Sequence, residues 1–228
     1  MRIGFVTALV EEAQTLALAG DPEFGHLVEI AGAGVDNAVR ASHRLIAQGV
    51  DGLVSWGTAG ALDPCHQPGA LVLYEAAVVA SGLRRECDKT WSAALMRSLS
   101  ALDATTEIGF TTPRAVAAAA DKAKIRAQFN CAVVDMESAA VGECAAAADI
   151  PFVVVRTIVD PSDFDLPRAA LRVLEHGGQP RIWPAVRALM RRPQELPALL
   201  KLSRWYRLAL ARLRLAACAL HPDFGTDA

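Results

Sequence analysis

Runs of apolar residues alternate with segments of helical periodicity through the first two thirds of the chain. Nearly continuous Val, Ile and Leu, without the alternation of a half-exposed strand, predict strands covered on both faces. The clearest runs are residues 3–9, 53–56, 71–79, 133–135 and 152–159. Strands that alternate with helices predict an α/β fold with a mostly parallel or mixed sheet.

The segments between these runs predict four helices. Helical periodicity covers about residues 37–48, 90–102, 113–129 and 138–148. Proline is favoured in a first helical turn, and threonine is a good N-cap. The sequence therefore predicts that the third helix begins at Pro113, with Thr112 as its cap.

The pattern changes after about residue 166. No further strand is predicted, and prolines punctuate two or three helical segments. From Leu199 onward, apolar residues recur every three or four positions, with Trp205 and Tyr206 among them and Lys and Arg largely between them. We therefore predict an α/β domain over residues 1–166 and a basic, amphipathic helical extension over residues 167–228.

Charge is distributed unevenly over the 228 residues. The net charge is −2, yet residues 168–214 contain 11 Lys and Arg against two acids, and the remainder contains 12 basic and 23 acidic residues. This asymmetry predicts that the extension meets an anionic surface or packs on an acidic one. Nucleic acid is not the expected partner, since the pI is about 6.2 and no nucleic-acid-binding motif is found.

Cysteine usage and hydropathy narrow the class of protein further. The five cysteines are scattered without a C-x-x-C pair, and the histidines lack metal-ligand spacing, so we expect free thiols and no metal site. No run reaches the ~18 apolar residues that a transmembrane helix needs. The chain enters its first strand at once, without the regions of a signal peptide. A cytoplasmic protein is therefore expected.

Carboxylates stand at the ends of three predicted strands. Glu11 and Glu12 follow the first strand, Glu137 begins a helix after residues 133–135, and Asp160 ends the last strand. Ligands bind at the carboxyl ends of strands in α/β sheets. Cleavage of a purine N-glycosidic bond needs an acid near N7, charge stabilisation at the sugar and a base for water. Glu12, Glu137 and Asp160 are candidates for these roles.

Other interpretations of these residues remain open at this stage. An acid at a strand end is often a helix cap or an exposed solubilising group. Glu11 beside Glu12 leaves the assignment of the base ambiguous, and Arg156 either contacts a ligand or pairs with an acid. Residues 32–37 (GAGVDN) lack the third glycine of a dinucleotide-binding motif, so a tight βα turn is favoured.

Four segments, in order, resemble the methylthioadenosine/S-adenosylhomocysteine nucleosidases and their purine nucleoside phosphorylase relatives. Residues 134–140 (VDMESAA) are similar to the signature EMEA, residues 57–60 (GTAG) to GSAG, and residues 151–160 (PFVVVRTIVD) to PFVVVRAISD. Residues 3–12 are similar to the first strand and its catalytic glutamate. The resemblance spans roughly residues 1–165 and implies a three-layer fold, a central mixed sheet flanked by helices and a homodimer.

The resemblance also implies roles for the three acids. Glu12 would activate the attacking water, Glu137 would bind the ribose hydroxyls, and Asp160 would protonate N7 or hydrogen-bond there. No redox cofactor or metal is implied.

Four further residues are implied to contact the substrate. Thr58 would stand near the sugar and nucleophile, Met136 would pack beneath the sugar, and the backbone around Val116 would meet the edge of the base. Arg156 completes the predicted substrate-binding set.

Departures from the family pattern bear on the reaction. Ser55 stands where the phosphorylases commonly place a phosphate-binding arginine, and the Glu11–Glu12 pair would repel a phosphate dianion. Both favour hydrolysis over phosphorolysis. Ala115 stands where the family has a stacking aromatic, and Val159 replaces the usual serine before the catalytic aspartate.

The short connection after Glu12 and the basic extension, including residues 165–167, resemble the hopanoid-associated branch of this superfamily. That branch implies removal of adenine from adenosylhopane, giving ribosylhopane. Phosphorolysis of the same bond, cleavage of methylthioadenosine or S-adenosylhomocysteine, and a nucleoside-binding scaffold without catalysis are the alternatives. The extension is expected either to pack on its own protein or to contact the inner membrane surface, which would make the enzyme peripheral.

Overall fold

The computed structural model describes residues 1–17, 26–174, 193–221 and 224, and within them a single mixed sheet of eight strands forms the centre. The strands are β1 (Ile3–Thr7), β2 (Leu27–Ile30), β3 (Gly52–Ala61), β4 (Leu71–Val78), β5 (Arg84–Glu86), β6 (Thr105–Thr111), β7 (Val133–Asp135) and β8 (Phe152–Asp160). The order is β2-β1-β3-β7-β6-β4-β5. Strand β8 lies parallel to β3 and antiparallel to β4, so β3, β7, β6, β4 and β8 close a ring of pairings.

Helices cover both faces of this sheet. They are α1 (Val10–Leu16), α2 (Val35–Ala47), α3 (Lys89–Ser98), α4 (Ala119–Phe129), α5 (Ser138–Ala147), α6 (Arg168–Leu174) and α7 (Leu196–Leu220). One core cluster lies under α2 and α5, around Leu45 and Val141. A second lies under α3 and α7, around Trp91 and Leu213. Helix, sheet and helix thus form three layers, as predicted.

The predicted strands are confirmed, although the apolar-run criterion missed β2, β5 and β6. Strand β2 is four residues long and is interrupted by Glu29. Strand β5 is three residues long and consists of Arg and Glu, while β6 begins with exposed threonines. None of the three presents the continuous apolar run by which a strand buried on both faces is recognised.

The predicted start of the third helix is wrong. Helix α4 begins at Ala119, because its first N–H donates to Asp165 Oδ1 at 2.7 Å and the preceding Ala118 is extended. Thr112 is not its cap; its N–H donates instead to the carbonyl of Asp135, which ties this residue to the end of β7. Pro113 therefore opens a non-helical segment rather than a helix.

Helix α7 is amphipathic, as predicted, and one of its faces packs on the chain itself. Ala209, Leu213 and Ala216 are fully buried, and Thr157 donates to the carbonyl of Ala209 at 3.1 Å. The opposite face exposes apolar side chains, including Leu200. None of the helices in the described part of the chain combines the length and apolarity of a membrane-spanning segment.

Part of the predicted extension lies outside the described residues, including the segments around Pro180 and Pro184, as do residues 18–25 of the connection between Glu12 and Glu29. The division of the chain into units at residue 166 stays a prediction.

Candidate active site

A pocket of about 470 Å³ opens at the carboxyl ends of the strands. Six of the seven predicted site residues line it, namely Glu12, Thr58, Val116, Met136, Glu137 and Asp160. The seventh, Arg156, is 1% exposed and lies in the protein interior beside this wall. The structure therefore brings the three candidate acids to one cavity, and their roles stay predictions.

Glu12 is held by four hydrogen-bond donors. Its Oε2 accepts the N–H groups of Ala8 and Leu9, each at 3.1 Å, and its Oε1 accepts both the N–H and the hydroxyl of Thr58 at 2.8 Å. Burial raises the pKa of Glu12, while Arg156 and the hydrogen bonds from Thr58 and Leu9 lower it. These donors fix the carboxylate in one orientation, and Glu11 is an exposed residue beside it. The geometry favours Glu12 over Glu11 as the candidate base.

Glu12 and Arg156 both pack against Gly57 on β3. A Cβ at this position would lie 2.6 Å from Arg156 Nη1 and 2.8 Å from Glu12 Cδ, both below any normal contact. Arg156 also donates to the hydroxyls of Ser55 and Ser138 at 2.8 and 3.0 Å. The alternative that Arg156 pairs with acids matches its position in the structure.

Arg156 belongs to a buried charge network with the residues that hold Glu137. Its Nε lies 3.3 Å from Asp135 Oδ2, and its Nη2 lies 3.6 Å from Glu137 Oε2. Asp135 accepts the N–H groups of Glu137 and Ser138 on Oδ1, which begins α5 and orients the glutamate. The N–H of Gly34 donates to Glu137 Oε1 at 2.9 Å. The turn before α2, predicted from the GAG sequence, thus contributes to the site.

Electrostatics leave Glu137 able to titrate near neutrality. Burial raises its pKa to about 7; Arg156 and Gly34 lower it, and Asp135 and Glu12 raise it further. A carboxylate that is desolvated and only partly compensated in this way is typical of functional sites.

Asp160 is paired with a lysine that sequence reasoning did not single out. Lys122, on α4, is 0% exposed, and its Nζ lies 2.5 Å from Asp160 Oδ2. Burial raises the pKa of Asp160, and the charge and hydrogen bond of Lys122 lower it. Gly60 lies against this carboxylate, where a Cβ would be 3.1 Å from Oδ2. In the sequence, Lys122 is only a lysine within a predicted helix, where it is indistinguishable from a surface residue.

The remaining walls of the pocket are mainly apolar. Ala115 and Val116 come from the non-helical segment before α4. Leu199, Leu202 and Tyr206 come from the first half of α7. Leu166, which precedes α6, and Ala170, within α6, also face the pocket.

The hydroxyl of Tyr206 is buried and makes no hydrogen bond within the described residues. Burial and the nearby Glu12 and Glu11 raise the pKa of this phenol, so it stays a neutral donor. Sequence analysis placed Tyr206 on an interfacial face; the structure places it in the pocket. The described residues contain no cluster of His, Cys, Asp and Glu arranged to hold a metal ion.

Comparisons with known proteins place the chain in a family. Residues 14–176 match the model of the phosphorylase superfamily, so the chain belongs to that superfamily. No curated protein matches the chain.

Solved structures share the fold at low sequence identity. A methylthioadenosine/S-adenosylhomocysteine nucleosidase from Neisseria meningitidis, in complex with methylthio-immucillin-A, is 18% identical with a TM-score of 0.71, covering 95% of this chain and 97% of that one. Futalosine hydrolase from Helicobacter pylori is 18% identical with a TM-score of 0.67, covering 84% and 97%. An S-adenosylhomocysteine nucleosidase from Streptococcus pyogenes is 20% identical with a TM-score of 0.66, covering 83% and 94%. The predicted nucleoside phosphorylase-like fold is confirmed.

Proposed function

We propose that the protein is an enzyme that hydrolyses the N-glycosidic bond of an adenine nucleoside. The observation that carries this proposal is the convergence of Glu12, Glu137 and Asp160 on one pocket at the strand ends. Asp160 assists departure of the base, Glu137 holds the ribose hydroxyls, and Glu12 polarises the water that captures the sugar. The nucleosidases that share the fold support this chemistry.

The donors in the pocket favour water over phosphate as the nucleophile. The N–H groups of Ala8, Leu9 and Thr58, which could serve an anion, are all taken by the Glu12 carboxylate. A phosphate dianion would meet a carboxylate rather than donors, and the two charges would repel.

Product analysis with and without phosphate tests the reaction type. We expect purified protein to release adenine and a free ribosyl product at the same rate in phosphate-free buffer and in buffer with phosphate. Strict dependence on phosphate, with ribose 1-phosphate ends, would show phosphorolysis instead. Absence of adenine release from every nucleoside offered would favour the nucleoside-binding scaffold.

The natural substrate that we propose is lipid-linked adenosylhopane, which would yield ribosylhopane and adenine. Leu199, Leu202 and Leu166 give one wall of the pocket an apolar surface suited to a hydrocarbon 5′ substituent. Adenosylhopane and methylthioadenosine should be compared as substrates. Faster cleavage of methylthioadenosine would assign the protein to nucleoside salvage.

The exposed face of α7 supports contact with an anionic membrane surface. Leu200, Leu208 and Leu215 are about half exposed, and exposed Arg204 and Arg207 lie on the same face. Apolar and basic residues together on one helical face are typical of interfacial binding. This location would make the cytoplasmic enzyme a peripheral membrane protein.

Surface substitutions test the membrane contact better than deletion of the helix, because α7 also buries core residues. We expect Arg204→Gln with Arg207→Gln to weaken binding to vesicles of anionic lipid and to leave cleavage of a soluble nucleoside unchanged. Equal vesicle binding by the variant and the wild type would contradict the surface role.

A further inference from the structure

Lys122 is a buried cation in direct contact with a candidate acid. Its Nζ lies 2.5 Å from Asp160 Oδ2, 2.8 Å from the carbonyl of Pro161 and 3.2 Å from the carbonyl of Phe164. Three acceptors around one amine need three N–H donors, which only the ammonium form has. Lys122 therefore carries its charge inside the protein, with no side-chain surface exposed.

Stability alone does not account for such a pair. Transfer of an ammonium and a carboxylate out of water costs about as much as their attraction returns, and an apolar pair of similar volume is often as stable. The pair lies at the wall of the pocket rather than deep in either core cluster, since Asp160 lines the cavity. A role of the Lys122–Asp160 pair in the chemistry of the pocket would explain why both charges are buried there.

Lys122 is the main charged neighbour of Asp160. Within the described residues it is the one charged group whose charge shifts the pKa of Asp160. The other carboxylates around the pocket are Glu11, Glu12, Asp135 and Glu137, and Asp163 and Asp165 follow Asp160 along the chain. Asp165 accepts the first N–H of α4. Asp135 and Glu137 face Arg156.

We propose that Lys122 is a positioning residue that makes Asp160 a stronger general acid towards the departing base. This proposal rests on the proposed function of the site. The proton of the Asp160 carboxyl passes to N7 of the purine while the bond from N9 to the sugar breaks and its electron pair moves to the base. Asp160 is left as a carboxylate against the Lys122 ammonium.

The reaction is accelerated because the interaction between Lys122 and Asp160 strengthens as the proton leaves Asp160. In the protonated form of Asp160, which is the form that acts as the acid, the ammonium faces a neutral carboxyl. In the transition state it faces developing negative charge. An interaction that is stronger in the transition state than in the ground state accelerates the chemical step. Lys122 is already held in contact with Asp160, so little reorganisation of the protein is needed in the transition state.

The test replaces Lys122 with Met, which keeps the length of the side chain and removes the charge, and with Gln, which keeps a donor without charge. Lys124→Met is the matched control, because Lys124 lies on the same helix, is mostly exposed and pairs only at the surface with Asp121. Each variant is assayed over a range of pH on two substrates, an adenine nucleoside and 4-nitrophenyl riboside. The nitrophenolate leaves without protonation, so it does not need an acid.

We expect Lys122→Met to lower kcat for the adenine nucleoside by about 100-fold, the lower end of the usual contribution of a general acid. The alkaline limb of the pH–rate profile should move to higher pH in this variant, because the Lys122 charge that lowers the pKa of Asp160 is absent. Cleavage of 4-nitrophenyl riboside should change only a few-fold, and Lys122→Gln should behave like Lys122→Met. Equal losses on both substrates with an unchanged pH profile, or wild-type kinetics in Lys122→Gln, would overturn the proposal.

A double variant serves as the control for misfolding. Lys122→Met with Asp160→Asn removes both charges, and it should be no slower on the adenine nucleoside than Asp160→Asn alone, because Lys122 acts through Asp160. Additive losses would refute that dependence. Adenine release by the wild-type protein is measured first, since its absence would refute the proposed function of the site, whereas the outcomes above concern Lys122 only.

Discussion

Substitution of Gly57 by alanine tests whether the close packing of Gly57 against Glu12 and Arg156 supports activity. The added methyl group would lie 2.6 Å from Arg156 Nη1 and 2.8 Å from Glu12 Cδ, so each must retreat by about 0.6–0.8 Å to reach an ordinary 3.4 Å contact. A shift of that size stretches the two 2.8 Å hydrogen bonds from Thr58 to Glu12 towards the limit of hydrogen bonding.

The expected cost follows from these contacts. Overpacking of a well-packed interior costs ~1–3 kcal/mol, and a buried N–H left without its acceptor costs a further ~1–3 kcal/mol. Displacement of a catalytic group by 1 Å lowers the rate by about 100-fold. We therefore expect Gly57→Ala to lose about 2–6 kcal/mol in the free energy of unfolding and to lower kcat/KM by about 100-fold.

Urea denaturation and adenine release measure the two effects separately. Gly52→Ala is the matched control: it lies on the same strand, where an added Cβ would press on the flexible end of Met1 at 2.6 Å and on Trp91 at 3.0 Å, away from the pocket. It should lose stability while folded protein keeps wild-type kcat/KM. Wild-type kcat/KM in Gly57→Ala would refute the claim that the packing of Glu12 against Gly57 supports activity.

Further substitutions test the pocket and its supports. Ionised Glu137 is the form that can accept the ribose hydroxyls, so kcat/KM should fall as the pH drops through about 7, and this limb should disappear in Glu137→Gln. Tyr206→Phe should raise KM several-fold with little change in stability, because the hydroxyl has no protein partner within the described residues to lose; an unchanged KM would remove Tyr206 from substrate binding. Leu213→Ala should cost ~3 kcal/mol in urea denaturation because it empties a fully buried position. Asp165→Ala should cost ~1 kcal/mol by removing the acceptor for the first N–H of α4, and an undiminished melting temperature would argue against that cap.

The strand ends and the acids that follow them could be predicted from sequence because buried strands leave a continuous apolar signal. Glu12, Glu137 and Asp160 each stand where such a run stops. Strands β1 and β8 run parallel to β3, so the ends that carry Glu12 and Asp160 lie at one edge of the sheet. Strand β7 is antiparallel to β3, and Glu137 reaches the pocket because β7 pairs with the last residues of β3, which local pattern does not predict.

Features set by long-range contacts could not be predicted in this way. Helix α4 begins where Asp165, 46 residues away in sequence, accepts its first N–H, and local propensity favoured Pro113 instead. Lys122 reads as an ordinary surface lysine until the chain that follows β8 surrounds its ammonium. Tyr206 has the amphipathic spacing of an interfacial residue, and only the packing of α7 turns it into the pocket.

The position of α7 orders the assembly of the site in time. Synthesis delivers Glu12 first and the apolar wall of α7 nearly 200 residues later. Phe224, which follows α7, packs edge-to-face on Phe5 with ring centroids 4.8 Å apart. An emerging chain therefore holds all three acids before it holds the surface that would select a hydrophobic substrate. Selectivity for a hydrophobic substrate would then depend on the part of the site that is synthesised last.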